Sequence, residues 1–190
     1  MDYYNTKESV DQYIRAAEGF DGSDIIQKVG EFLSEGASVL ELGSGPGKDA
    51  QIMTTKGYQV SVSDYSSEFL SRLHDNYPGI FAEYLQIDAT NIISEEKYDC
   101  IYSNKVLHFL TDEQLEQSIN SQLRCLSTAG IVCHTFWRGE GTEMYGDMYV
   151  NNHTEEEMIV FFKDFDILVC VLYEEMDSND SILVIARRKQ

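Results

Sequence analysis

The sequence predicts an open, doubly wound α/β sheet of seven strands, parallel through the first five and closed by an antiparallel hairpin. Two observations carry that fold class. From residue 37 onward short apolar runs alternate with segments of helical spacing, the pattern of parallel strands joined by helical crossovers. The chain then ends on "DFDILVCVLYEEM" and "SILVIARRKQ", two apolar runs separated only by the turn-like "DSND". That link is too short for a crossover, so one strand of the pair runs backwards.

Residues 7–35 precede the sheet and read as two helices separated by "GFDGSD". In the second helix Ile25, Ile26, Val29, Phe32 and Leu33 recur at helical spacing, with Ser23 or Asp24 placed to cap its start. The first strand, "ASVLEL", ends in a glycine loop. A helix over 48–56, the strand "YQVSVSD", a helix over 66–76 and the strand "AEYLQID" follow. After a loop come the strand "YDCIYSN", a helix over 111–127 and the strand "GIVCHTFW". In that helix Thr111 and Gln114 form a capping box, and Leu115, Ile119, Leu123 and Leu126 fall on one face. A second box, Thr154 with Glu157, opens a helix running to about Phe162. The stretch between, "TFWRGEGTEMYGDMYVNNHT", reads as a loop. The chain carries no internal repeat, linker or low-complexity segment.

A length of 190 residues predicts one domain over 1–190, with a helical cap over 1–36 and the sheet over 37–190. That is enough chain to bury a core without metals or disulfides. Hydrophobic residues at 43%, with 12% aromatics, predict an ordered globular protein. A formal net charge of −19 makes a phosphate backbone or an anionic membrane surface a poor partner. A small-molecule or protein partner is expected instead, with no nucleic acid. Cys100, Cys125, Cys133 and Cys170 show no CxxC spacing and sit in apolar stretches, as reduced core residues do. No apolar run approaches the roughly 18 residues of a membrane helix. The start "MDYYNTKESVDQ" is too polar for a signal peptide, which predicts a cytoplasmic protein with no membrane partner.

The most informative stretch is "VLELGSGPGKD", residues 39–49, where glycines without a Cβ let backbone approach a ligand closely. A phosphate-binding loop needs G-x-x-x-x-G-K-[ST]. Gly47 and Lys48 fit it, but Leu42 takes the first glycine position and Asp49, which repels phosphate, takes the hydroxyl position. A dinucleotide fingerprint, G-x-G-x-x-G/A, is met by Gly43 and Gly45. Lys48 then stands at its third small position, and Pro46 removes an N–H. The pattern [ED]-x-G-x-G-x-G is met at every fixed position by Glu41, Gly43, Gly45 and Gly47. On these residues, with Asp64 and Asp88 at successive strand ends and the hairpin ending, the chain from about residue 39 onward resembles the class I S-adenosylmethionine-dependent methyltransferases of small-molecule type, whose fold is Rossmann-like.

The resemblance implies S-adenosylmethionine as cofactor and assigns its ligands. Asp64, 21 residues after Gly43, would accept from the ribose hydroxyls, with Tyr65 beside it. Asp88 would accept from the adenine amino group while the Ala89 N–H donates to a ring nitrogen. Ser103 and Asn104 would hold the methionine moiety. Ser44 lies in the cofactor loop, and Glu41 organises that loop or meets the ligand's amino group. Tyr3, Tyr4 and Tyr13 belong to an N-terminal segment that folds over the cofactor as a lid, Tyr4 and Tyr13 as contacts. The charges agree, since a sulfonium cation without phosphate tolerates acids where a phosphate would demand donors.

Methyl transfer is an in-line displacement, so the protein chiefly aligns the reactants and excludes water. A base is needed only for a nucleophile that carries a proton, and neither a catalytic triad nor a metal is expected. His108, in "NKVLHFL", is the candidate to deprotonate or orient the acceptor. Phe136, Trp137, Arg138, Tyr145, Tyr149 and His153 are candidates for the substrate wall, Arg138 pairing with a carboxylate. The expected assembly is a monomer or homodimer. Two rivals stay open: a methyltransferase-like binding or regulatory protein without turnover, and an NAD-dependent oxidoreductase, which Lys48 and the hairpin ending oppose.

Overall fold

A computed structural model describes residues 4, 6–146 and 148–189; Tyr3 lies outside them. The strands form a seven-stranded sheet in the order β3-β2-β1-β4-β5-β9-β8, counted from β1 (Ser38–Leu42), β2 (Gln59–Asp64), β3 (Glu83–Gln86), β4 (Tyr98–Ser103) and β5 (Leu126–Trp137) to β8 (Phe165–Tyr173) and β9 (Ser181–Arg188). A separate two-stranded ribbon pairs β6 (Thr142–Tyr145) with β7 (Met148–Asn151). By their contacts the residues divide into two compact units, Met1–Asp88 and Ala89–Gln190. The division falls after β3.

In the first unit β1 pairs parallel with β2, and β2 with β3. Val39, Leu40, Leu42, Val60 and Val62 are buried, the near-continuous apolar run of strands covered on both faces. The helices are α1 (Lys7–Ala16), α2 (Ser23–Val29), α3 (Lys48–Thr55) and α4 (Ser67–Asn76). Side chains fix two of their starts: Thr6 accepts from the Ser9 N–H and Ser66 from the Phe69 N–H. The start of α2 departs from expectation, because neither Ser23 nor Asp24 caps it. Gly22 is its N-cap; Asp21 takes the Ser23 N–H, and Asp49, from α3, takes the Gly22 N–H at 2.7 Å.

In the second unit β4 pairs parallel with β5, and β9 runs antiparallel to both β5 and β8, so β9 is the reversed strand. Both expected capping boxes are present, opening α5 (Asp112–Cys125) and α6 (Glu155–Phe161). Helix α5 ends earlier than its sequence suggests. Leu126 already belongs to β5 and Leu123 is half-buried, while Ser118, Ser121 and Gln122 fill the buried face beside Leu115, Ile119 and Cys125. Strand β5 starts early through a left-handed Ala129, and the absent Cβ of Gly130 lets the Tyr98 carbonyl approach to 3.0 Å of where it would stand. Cys100, Cys125 and Cys133 are buried and Cys170 is half-buried, all four as free thiols. Among the described residues no helix is long and apolar enough to cross a membrane.

Candidate functional site

The glycine loop leaves β1 at Leu42 and enters α3 at Lys48, with Gly43, Gly45 and Gly47 all at positive φ. Its N–H groups are largely spent within the protein. Ser44 donates to the Ser63 carbonyl at 2.8 Å, Gly47 to the Ser44 carbonyl at 2.8 Å, and Gly45 to Asp64 Oδ2 at 3.0 Å, while Pro46 has no N–H. A phosphate would want those donors free, so the loop is not built as an anion cradle. What flanks it is acidic. Burial raises the Asp64 carboxyl against the N–H bonds it accepts from Ser66, Gly45 and Tyr65. Glu41 is fully buried, and its Oε2 has no hydrogen-bond partner. Desolvation pushes its carboxyl up to about 8, with the charges of Asp49 and Asp64 adding to the effect and a Ser44 hydrogen bond opposing it.

Over this loop lies the N-terminal segment. Tyr4, Tyr13 and Phe69 form a three-ring cluster with centroids 5.2 to 5.9 Å apart, and the Tyr13 ring edge stands 3.7 Å from where a Gly45 Cβ would be. Three polar ties hold the segment down. Lys48 Nζ donates to the Ala17 and Phe20 carbonyls at 2.7 and 3.2 Å, Ser66 Oγ to the Tyr4 carbonyl at 2.5 Å, and Arg72 pairs with Asp11 at 2.6 Å. Tyr65 is exposed beside Asp64, and Asp88 is exposed two residues beyond β3, which is shorter than "AEYLQID".

In the second unit Ser103 ends β4 fully buried, its hydroxyl 2.8 Å from His134 Nδ1; Asn104 Oδ1 accepts from the Thr135 hydroxyl at 2.6 Å. Both side chains are thus engaged with β5. His108 sits in a 3-10 turn, Leu107–Phe109, only 3% exposed, with Nδ1 unpartnered. Burial first, then the Lys105 and His153 charges, lower it to about 3. Its ring lies against Phe109 and Trp137 at 4.1 and 6.3 Å. Burial thus leaves the imidazole neutral at neutral pH, with Nδ1 open to a hydrogen bond. His153, 2% exposed and with Nε2 unpartnered, packs between Phe136 and Phe161. The "TFWRGEGTEMYGDMYVNNHT" stretch is not a plain loop, since β6 and β7 pair within it, with Tyr149 half-buried opposite Met144. Tyr145 is exposed, its hydroxyl on Glu143, and Arg138 already pairs with Glu155 at 3.5 Å.

Residues 39–130 match the family model described as a methyltransferase domain. Over this stretch, just under half of the chain, the residues resemble S-adenosylmethionine-dependent methyltransferases. The chain is 28% identical over 117 residues to a phosphoethanolamine N-methyltransferase of Triticum aestivum, which is 60% of this chain and 23% of that protein. The matched segment thus spans about a quarter of the length of the curated relatives. Among solved structures, the 1,6-didemethyltoxoflavin-N1-methyltransferase of Burkholderia thailandensis, with 1,6-didemethyltoxoflavin and S-adenosylhomocysteine bound, superposes at a TM-score of 0.80 and 15% identity, covering 100% of this chain and 84% of that one. A TehB-like methyltransferase from Corynebacterium glutamicum gives 0.77 and 17%, over 97% and 100% of the two chains. At such identities the structural likeness speaks for the fold alone.

Sequence reasoning missed two parts of the second unit. One is a buried polar chain in which His134 bridges Ser103 and Gln122, with Nε2 2.7 Å from the Gln122 amide oxygen and Gln122 in turn on Ser118. The other is Lys105, left-handed at φ 54, with its ammonium 3.4 Å over the Trp137 ring. Neither has a motif; the one available signal was polar residues inside apolar runs.

Proposed function

We propose that this protein transfers a methyl group from S-adenosylmethionine to a small-molecule acceptor by in-line displacement. The observation that carries it is Glu41, a buried acid with an unpartnered oxygen beneath a glycine loop whose donors are already used. That is a site for a cation, and it does not suit a phosphate. The residues present fit the cofactor: Glu41 and Asp64 are acidic where its cationic amino-acid end and ribose hydroxyls require acceptors, and Asp88 with the Ala89 N–H suits an adenine edge. Ser103 and Asn104 would contribute main-chain groups, and Tyr4, Tyr13 and Tyr65 apolar contacts.

When bound, the cofactor supplies a methyl group on a sulfonium, an electrophile with a neutral thioether leaving group. The chain's own residues bind and align. Glu41 offsets positive charge, Asp64 fixes the loop through Gly45 and Ser66, and the Tyr4 and Tyr13 cluster excludes water from the loop. His108 orients an acceptor by hydrogen bonding, with Trp137, Arg138, Tyr145, Tyr149 and His153 as acceptor-side candidates. Titration calorimetry of the folded protein with S-adenosylmethionine and S-adenosylhomocysteine tests this. Both should bind, and Asp64→Ala should weaken them about tenfold or more, the loss of one charge-assisted hydrogen bond. No heat with either ligand, or unchanged affinity in the variant, overturns the proposal.

A further inference from the structure

Lys105 organises the strand-end wall of the second unit. Its N–H donates to Thr135 Oγ1, and its ammonium donates to Ser181 Oγ at 2.6 Å and the Phe136 carbonyl at 3.1 Å, 3.6 Å from Glu175. The remaining direction is filled by the Trp137 face. Every approach to this cation is therefore occupied. The Arg138 guanidinium is likewise matched by Glu155. In the sequence, residues 138–157 hold six acids, Glu140, Glu143, Asp147, Glu155, Glu156 and Glu157, and only Arg138 as a permanent cation. An anionic acceptor would meet no unmatched cation among the described residues of this stretch, and a strongly negative field. Against this background two polar atoms stand unused. His108 Nδ1 and His153 Nε2 are both buried, both without a partner, and both set among aromatic rings. A buried, unsatisfied imidazole nitrogen carries a desolvation penalty unless a ligand meets it.

We propose that His108 and His153, on the wall that Lys105 and Trp137 hold in place, receive the hydrogen-bonding edge of an uncharged, planar N–H or O–H heteroaromatic acceptor, and that a phosphorylated amine is not the compound methylated here. This substrate class rests on the methyl transfer proposed above. The aromatic rings supply the stacking surface for a flat ligand, and a neutral imidazole both donates and accepts, matching an acceptor edge that does the same. Lys105 acts as a positioning residue, because its ammonium touches Trp137 and not the acceptor.

The chain has a single tryptophan, so the emission of Trp137 reports on this wall alone. With S-adenosylhomocysteine present, the full chain is titrated with a panel of uncharged planar heteroaromatics (theophylline, indole and 4-hydroxyquinoline) and separately with phosphoethanolamine, with calorimetry alongside. At least one panel member should bind and shift the emission, while phosphoethanolamine does neither. His108→Phe and His153→Leu should each weaken that binding about tenfold with S-adenosylhomocysteine affinity unchanged. Lys105→Met should move the free-protein emission and weaken panel binding, again sparing S-adenosylhomocysteine; a merely structural lysine would lower both affinities together. Binding of phosphoethanolamine, binding of no panel member, or panel binding indifferent to both histidine variants overturns the inference. S-adenosylhomocysteine that fails to bind the wild-type protein overturns the proposed function instead, so the two failures are distinct.

Discussion

Glu41 shows what burial does to a single carboxyl. Its ordinary value is 4.5 and burial raises it to about 8, so the folded protein holds a proton there that the unfolded chain gives up. The stability tied to that proton is present below 4.5 and is lost as pH rises toward 8, at a cost on the order of 4 kcal/mol at alkaline pH. Glu41→Gln should therefore be more stable than the parent at pH 8.5, with the difference shrinking toward pH 5 in urea unfolding. Binding reverses the preference, because a cation favours the ionised form. Affinity for S-adenosylmethionine should rise between pH 6 and 8, with proton release visible as a buffer-dependent heat, and Glu41→Gln should abolish that slope. A flat profile in the parent would separate Glu41 from the ligand. Glu41 was legible in the sequence as the acid of [ED]-x-G-x-G-x-G; its unpartnered oxygen was not, since burial of one atom depends on how Ser44, Asp49 and Asp64 close around it.

At the level of elements, the turn from β1 into α3 is governed by space as well as by dihedral angle. Gly47 has φ 84, and a Cβ there would stand 2.5 Å from Leu73 Cδ2 and 3.3 Å from the Tyr77 ring, so α3 and α4 pack through it. Gly47→Ala is expected to cost about 2 kcal/mol from the left-handed backbone and the displaced Leu73, lowering the melting temperature by several degrees. Thr111→Ala, which breaks only the α5 cap, should cost about 1 kcal/mol. Equal melting temperatures for the two variants would show that Leu73 yields freely. His134 couples α5, β5 and β4 in another way. Buried neutral, it is held down to about 3 against an ordinary 6.5, so its contribution is intact above 6.5 and lost as pH falls toward 3. Replacing it with glutamine should flatten the fall in stability between pH 6.5 and 4.5 relative to the parent, and an identical slope would assign that acid sensitivity elsewhere. Capped and periodic elements such as α5 and α6 were plain in the sequence. The β6–β7 ribbon was not, because its exposed polar and aromatic residues carry no apolar alternation to mark a strand.

At the scale of the molecule, the alternation of strands and helices and the reversed β9 were readable because β1, β2, β4 and β9 each bury a nearly unbroken run. The helix boundary at Cys125 and the part of Lys105 were not, since both are decided by contacts between elements distant in sequence. Charge is the remaining global property, with 33 acids against 14 lysines and arginines. Exposed pairs such as Lys28 with Glu31 and Lys163 with Glu116 are each worth about 0–1 kcal/mol, too little to offset a surplus spread over the whole surface. Self-repulsion should thus weaken the fold most at low ionic strength, where the Debye length is about 30 Å at 0.01 M, and least near 1 M, where it is about 3 Å. The melting temperature at pH 7.5 is expected to climb by several degrees as sodium chloride rises across that range, with most of the gain below 0.2 M. Choline chloride should reproduce the early climb, because screening depends on ionic strength and not on the cation. A melting temperature that falls with added salt would mean that attractive pairs outweigh the surplus.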